Sequence, residues 1–209
     1  PLGLARGYVS VLKDRAYVGL LIVSALQLSA LFGYLNTVSY LYQDTFELSP
    51  GEFGIWFAIN SAALWLGVQF GGIMAKYFKA QWMLVIYSAA GAMAGLYLML
   101  TAGSSILIAE IGFFVLVFFF GAPATGIPTL ALLNHGSEAG TAASLMGVTN
   151  FTMTSTMSMV YASLSVTSTF DVGMLIFIFF ALSVASLIFI VRPWTLPDLR
   201  KPLAQEEAH

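Results

Sequence analysis

The sequence predicts an all-α membrane protein of six transmembrane helices in a three-plus-three inverted repeat. Three observations carry this: composition, the length of the apolar runs, and the placement of the basic residues. Of 209 residues, 59% are hydrophobic and only 9% charged, and the mean hydropathy is +0.88. A soluble domain carries about 25% charged residues, so this chain lacks the polar surface to cover a globule in water, and its solvent is lipid. Spanning the hydrocarbon takes about 20 apolar residues in a helix, whose backbone bonds are satisfied internally. A barrel would instead show alternating segments of roughly ten residues.

Residues 1–15 read as a cytoplasmic lead-in. The first span, 16–42, closes at Gln43-Asp44. The second, 51–76, opens at Ser49-Pro50, an N-cap followed by proline at the first helical position. The third, 81–102, stops at Gly103-Ser104-Ser105, and the fourth, 106–133, is expected to break or bend around Pro123 and Pro128. The fifth runs over 138–166 and the sixth over 171–191, ended by Arg192-Pro193 and followed by a tail, 192–209. Several exceed the bilayer thickness, which implies tilt or protruding ends.

With the spans numbered in order, all eight basic residues (Arg6, Lys13, Arg15, Lys76, Lys79, Arg192, Arg200 and Lys201) fall on one side. Asp44, Glu47, Glu52 and Asp171 fall on the other, with no Lys or Arg. The positive-inside rule then puts both termini in the cytoplasm. A wrong helix count would scatter the cations over both sides.

Polar residues are unevenly shared. The first, second, fourth and fifth spans carry them, the fifth along its whole length from Thr141 to Ser158. The third has little beyond Ser88, and the sixth little beyond Ser183 and Ser186. Polar, polar, apolar, repeated once, is the pattern of an inverted repeat. It leads us to expect spans three and six to face lipid and the other four to turn inward. Small residues spaced for close helix approach recur at Gly67/Gly71, Gly91/Gly95 and Gly136/Gly140.

Several function classes are excluded. The net charge of −2, without a basic run, argues against nucleic acid. The absence of cysteine removes disulfides, thiolate metal sites and cysteine nucleophiles. An intramembrane serine protease needs a histidine deep in a span, but His135 falls in a turn beside Glu138 and His209 in the tail, and neither has a metal partner at ligand spacing. No Asn-Pro-Ala box of a water channel is present. No enzyme, cofactor or metal is expected.

Glu110 is the one acid well inside a span. Such a residue is costly there and is by default a functional hypothesis. It either carries a coupling proton or, lying about a turn from the outer end of its helix, reaches the interface. Gln27 and Asn150 fall near midspan, and Asn36 and Asn60 in the outer half of their spans. Carboxamides at such depth need partners, from a cavity with substrate or from neighbouring helices. Tyr34, Trp56 and Trp65 could wall a site for a flat apolar molecule or sit at the membrane interface. Met146, Met153, Met157 and Met159 offer either an adaptable surface or core packing.

Four stretches carry a resemblance to a known family: Tyr8-Val-Ser-Val-Leu-Lys-Asp-Arg-Ala-Tyr17, Phe32-Gly-Tyr-Leu-Asn-Thr-Val-Ser-Tyr-Leu-Tyr-Gln43, Leu48-Ser-Pro-Gly-Glu-Phe-Gly-Ile-Trp-Phe-Ala-Ile-Asn60 and His135-Gly-Ser-Glu-Ala-Gly-Thr-Ala-Ala-Ser-Leu-Met-Gly147. In order and spacing they resemble the seventh, eighth and eleventh helices of the major facilitator superfamily, most closely its Bcr/CflA-type drug:proton antiporters. The likeness departs from that pattern at Ser39, where a nearby proline is missing. It departs again at Thr125-Gly126, which replaces a Pro-Asn pair, at Asn150 in place of glutamine, and in the turn 72–79, which lacks an acid.

The resemblance implies the C-terminal half of a bacterial inner-membrane transporter, with residues 1–15 part of a central loop. It implies a drug-efflux antiporter conferring antibiotic resistance, working by alternating access on small amphipathic substrates against protons. A metabolite transporter, for a sugar or amino acid, or a half-length non-transporting fragment are the alternatives. The start at Pro1 suggests a piece of a longer protein, partnered by a missing N-terminal six-helix half or by a second copy. On this reading Gln27, Tyr34, Asn36, Asn60 and Asn150 contact substrate, and Glu110 couples protons.

Overall fold

A computed structural model describes residues 2–164 and 166–199, with side chains from Gly7 onward. The Arg6 side chain, Arg200, Lys201 and His209, named above, lie outside these. The lead-in is helical: α1 spans Leu2–Lys13. Asp14 then caps the first long helix, α2 (Arg15–Tyr40), its carboxylate accepting from the Ala16 and Tyr17 amides. A wide π-helical turn, Leu41–Thr45, extends α2.

Helix α3 is Pro50–Tyr77 and begins with a capping box between Ser49 and Glu52. Helix α4 is Ala80–Leu100. The proline-bearing stretch gives α5 (Ile106–Gly121), a broken segment, and the short α6 (Gly126–Ala131). Pro123 lies in the break because it has no amide to continue the helical ladder. Helix α7 is Ala139–Ser163. Helix α8 is Thr169–Ala185, opened by a second capping box (Ser168, Asp171) and extended by a π-helical turn, Ser186–Val191.

Among the described residues, five helical stretches are long and apolar enough to cross a membrane: Arg15–Thr45, Pro50–Tyr77, Ala80–Leu100, Ile106–Ala131 and Thr169–Thr195. Helix α7 is long enough at 25 residues but less apolar, because Thr141, Ser144, Asn150 and the threonines and serines after them dilute it. The contacts follow a repeat. Helix α3 packs on α5 as α7 packs on α2, α2 meets α8 as α5 meets α4, and α4 and α8 form the most extensive pair. Exchanging α2, α3, α4 with α5, α7, α8 maps this pattern onto itself, as an inverted repeat of three helices requires.

Two seams are close. A Cβ at Gly67 or Gly71 would overlap the Phe118 or Ala122 carbonyl of α5. On α4, a Cβ at Gly95 would lie 2.6 Å from the Phe177 amide of α8. Around Gly140 and Gly147 of α7, by contrast, nothing stands within 4 Å.

The core has two parts. One holds Tyr34, Tyr42, Leu98, Phe113 and Ile176, and the other Val11, Tyr17, Leu84, Ile127 and Leu187. The expectation that the polar spans turn inward holds for the first and fourth, whose windows are 61% and 50% buried, and needs correction for the second and fifth. Only 17% of the α3 window is buried, against 50% for α4. On α7 Phe151, Thr152, Ser155 and Thr156 are all exposed. Spans three and six bury much of their surface against each other, because Gly95 and Gly173 let their backbones meet and Gly91 makes room for the Phe180 ring. Asn150 and Ser158 of α7 face α2, whereas the exposed polar residues of α3 and α7 are uncovered among the described residues. The tail also does more than trail: Leu196 and Pro197 carbonyls accept from Gln81 Nε2 at the start of α4.

Candidate functional site

The candidate residues separate into three places. In the first, Glu110 turns inward. It is 5% exposed, and its Oε2 accepts from the Tyr42 hydroxyl and, at 3.3 Å, from Asn60 Nδ2. Asn60, 1% exposed, also reaches the Tyr42 oxygen at 3.2 Å and the Trp56 carbonyl at 3.3 Å. Three elements converge here: the π-helical turn after α2, α3 and α5. Rings seal the cluster, with Phe46, Phe53 and Phe113 edge-on to Tyr42 at 5.9–6.3 Å and Tyr34 against Phe113 at 5.4 Å.

Glu110 Oε1, Asn60 Oδ1 and the Tyr34 hydroxyl are buried with no hydrogen-bond partner among the described residues. A cleft of about 80 Å³ between α2 and α3 is lined by Tyr34, Asn60 and Ser61. One water occupies roughly 10–15 Å³ on this measure, so the cleft admits a few waters and no drug-sized molecule. Tyr34 belongs to this sealed cluster and not to an open aromatic wall. Trp65 is 62% exposed on the outside of α3.

The second place is a midspan cleft of about 320 Å³, within the size range of small-molecule sites. Ser24 and Gln27 of α2, Phe120 of α5, Pro123, and Met146 and Asn150 of α7 line it. Gln27 gives its Nε2 to Ser88 Oγ of α4 at 2.8 Å, so part of its hydrogen bonding is spent between helices. Asn150 Nδ2 donates to Ser24 Oγ at 2.8 Å, while its Oδ1 is buried without a partner. No ionisable side chain lines this cleft.

The third place is a cleft of about 390 Å³ near the C-terminal end of α2, at Asn36, Thr37, Ser158 and Tyr161; on the orientation expected from the basic residues it is the outer cleft. There the exposed Asn36 donates Nδ2 to Ser158 Oγ at 2.9 Å. Asn36 therefore lies apart from Gln27 and Asn150, although all three sit on the α2–α7 seam.

His135 does not pair with Glu138 as its neighbourhood in sequence implied. Its Nε2 lies 3.0 Å from Asp14 Oδ2, and its ring meets Tyr17 edge-on at 5.5 Å. The Tyr17 hydroxyl donates to the Ala142 carbonyl at 2.7 Å, so this group ties the α1–α2 junction to the start of α7. Sequence reasoning missed Tyr42, Ser158 and Tyr161. Tyr42 sits at the end of an apolar run, and only the wide turn carrying it brings its hydroxyl to α5.

No family model matches the chain. Over 143 residues it is 30% identical to an uncharacterized MFS-type transporter, YdgK, of Bacillus subtilis (strain 168). That match covers 66% of this chain and 35% of the relative, so the chain spans about a third of that protein's length. The likeness supports membership of the major facilitator superfamily. A transporter relative from that superfamily agrees with the polar-lined midspan cleft and with the repeat in the helix contacts.

Proposed function

We propose that this chain is the C-terminal half of a proton-coupled major facilitator exporter of small amphipathic compounds, of the Bcr/CflA kind. Its setting is the bacterial inner membrane, with both termini in the cytoplasm. The observation that carries the reading is the separation of two unlike sites. A sealed carboxylate, Glu110, is bonded to Asn60, which lines a cleft with room for water alone, and an uncharged cleft of about 320 Å³ lies at midspan. An antiporter needs that division, one group for the small ion and another surface for the cargo.

In this reading Glu110 takes and releases the proton, and Tyr42 and Asn60 hold its carboxyl in place. Gln27 and Asn150 contact substrate together with Phe120 and Met146. The uncovered flanks of α3 and α7 pack against the N-terminal six-helix half. Two of the three glycine pairs are used inside this chain, whereas the open side of Gly140 and Gly147 suits a helix from outside it.

The test is efflux by the full-length protein in drug-sensitive cells. Drug tolerance should rise on expression, and Glu110→Gln should remove the dependence of efflux on the proton gradient while leaving the protein in the membrane. Unchanged tolerance beside well-expressed protein would sink the drug reading. Unchanged proton dependence in Glu110→Gln would retire that residue's role.

A further inference from the structure

We propose that the outer cleft on the α2–α7 seam is a second binding station for an uncharged, acceptor-rich amphiphile. It rests on the transport reading only in taking that molecule to be the cargo. At about 390 Å³ the cleft is as roomy as the midspan one, and neither acid nor base lines it. From Ser24 to Asn36 along α2 the two clefts lie roughly 18 Å apart at 1.5 Å per residue.

The outer lining is built to donate hydrogen bonds. The Thr37 hydroxyl is spent on the Gly33 carbonyl at 2.8 Å. Ser158 Oγ accepts from Asn36, which leaves its own proton to give. Tyr161 is 4% exposed, and its buried hydroxyl has no partner among the described residues. That ring lies where a Cβ of residue 33 would be, so Gly33 is what allows it to settle against α2. A buried phenol without a partner is costly, and a ligand carbonyl, ether or hydroxyl oxygen would satisfy it. Ala162 and Val166 supply the apolar flank. Midspan adds an acceptor, Asn150 Oδ1, beside the Ser24 hydroxyl, whose proton is free in the same way as that of Ser158. A molecule carrying both donors and acceptors would be held first by one edge and then by the other.

The chain contains no cysteine, which makes a single thiol easy to read. Ser158→Cys would be made in the full-length protein, otherwise cysteine-free, and purified into nanodiscs. Maleimide labelling would be timed with 4-nitrophenyl β-glucoside, which is uncharged and acceptor-rich, or with 4-nitrophenyl phosphate. Ser155→Cys, exposed on the same helix and outside the cleft, serves as control. The glucoside should slow labelling of Ser158→Cys alone, and the phosphate should not. Adding Tyr161→Phe should raise the half-protecting concentration roughly fivefold, the worth of one neutral hydrogen bond.

Equal protection by both probes, protection of Ser155→Cys, no protection at all, or a thiol that never labels because the rest of the protein fills the cleft would each overturn the proposal. Because no gradient is involved, a protein that transports nothing yet shows protection keeps the station and loses the transport reading. Active transport without protection does the reverse.

Discussion

Glu110 shows how far a single side chain constrains its surroundings. Its Oε2 accepts from the Tyr42 hydroxyl and from Asn60 Nδ2, so removing it strands the buried Tyr42 donor, while Asn60 keeps the Trp56 carbonyl and the Tyr42 oxygen. Glu110→Leu should therefore cost about 1–3 kcal/mol for the donor left unpaired. Glu110→Gln keeps an acceptor oxygen and should unfold near the wild-type temperature. Thermal unfolding in detergent checks this, and equal losses in both variants would show that the two bonds contribute nothing. Glu110 was legible in the sequence because it is the lone acid inside a span. Its partners were not. Asn60 lies 50 residues away and Tyr42 68 residues away, and which carboxamide would meet the acid depends on helix rotation that composition does not encode.

At the level of helices, starts and breaks follow local chemistry. Ser49 with Pro50, and Pro123, act through backbone groups within four residues, so a linear reading finds them. The inward faces of α3 and α7 were misread because polarity marks where a helix wants company, not which chain provides it. The glycines sharpen this into a paired prediction. Gly67→Val forces a side chain into the Phe118 carbonyl and should destabilise this unit by about 1–3 kcal/mol. Gly140→Leu, on an open face, should leave the unit's own unfolding unchanged and weaken its association with the remainder of the full-length protein. Co-purification of the two halves as separate polypeptides measures the second effect. Asp14 offers a further check on helix α2. Asp14→Ala removes the cap and should cost about 1–2 kcal/mol, whereas Asp14→Asn keeps an acceptor for the Ala16 and Tyr17 amides and loses only the charge facing His135.

For the molecule as a whole, the six-span count and the charge asymmetry were the strongest linear signals, since each cation is read independently and all agree. That asymmetry makes a direct prediction about sidedness. With thiols introduced singly by Glu47→Cys and Thr195→Cys, an impermeant reagent added to intact cells should label the first and spare the second. The reverse result would invert the topology and with it the assignment of the outer cleft. The contact pattern adds what charge cannot, because α3 with α5 and α7 with α2 are equivalent pairs in two interlocked halves of the repeat. A motion that opens one of these seams has a counterpart at the other.

The hydrogen bond from Asn150 to Ser24 joins residues 126 apart. Helix α2 is made early and waits for α7, and then α8, before its long flank is covered. Gln27 can meet Ser88 as soon as α4 follows, but Ser24 sits in lipid or in the insertion machinery without its final neighbour throughout that interval on the ribosome. A transcript cut short after α6 would leave that flank permanently bare, a natural signal for membrane proteases to clear unfinished product.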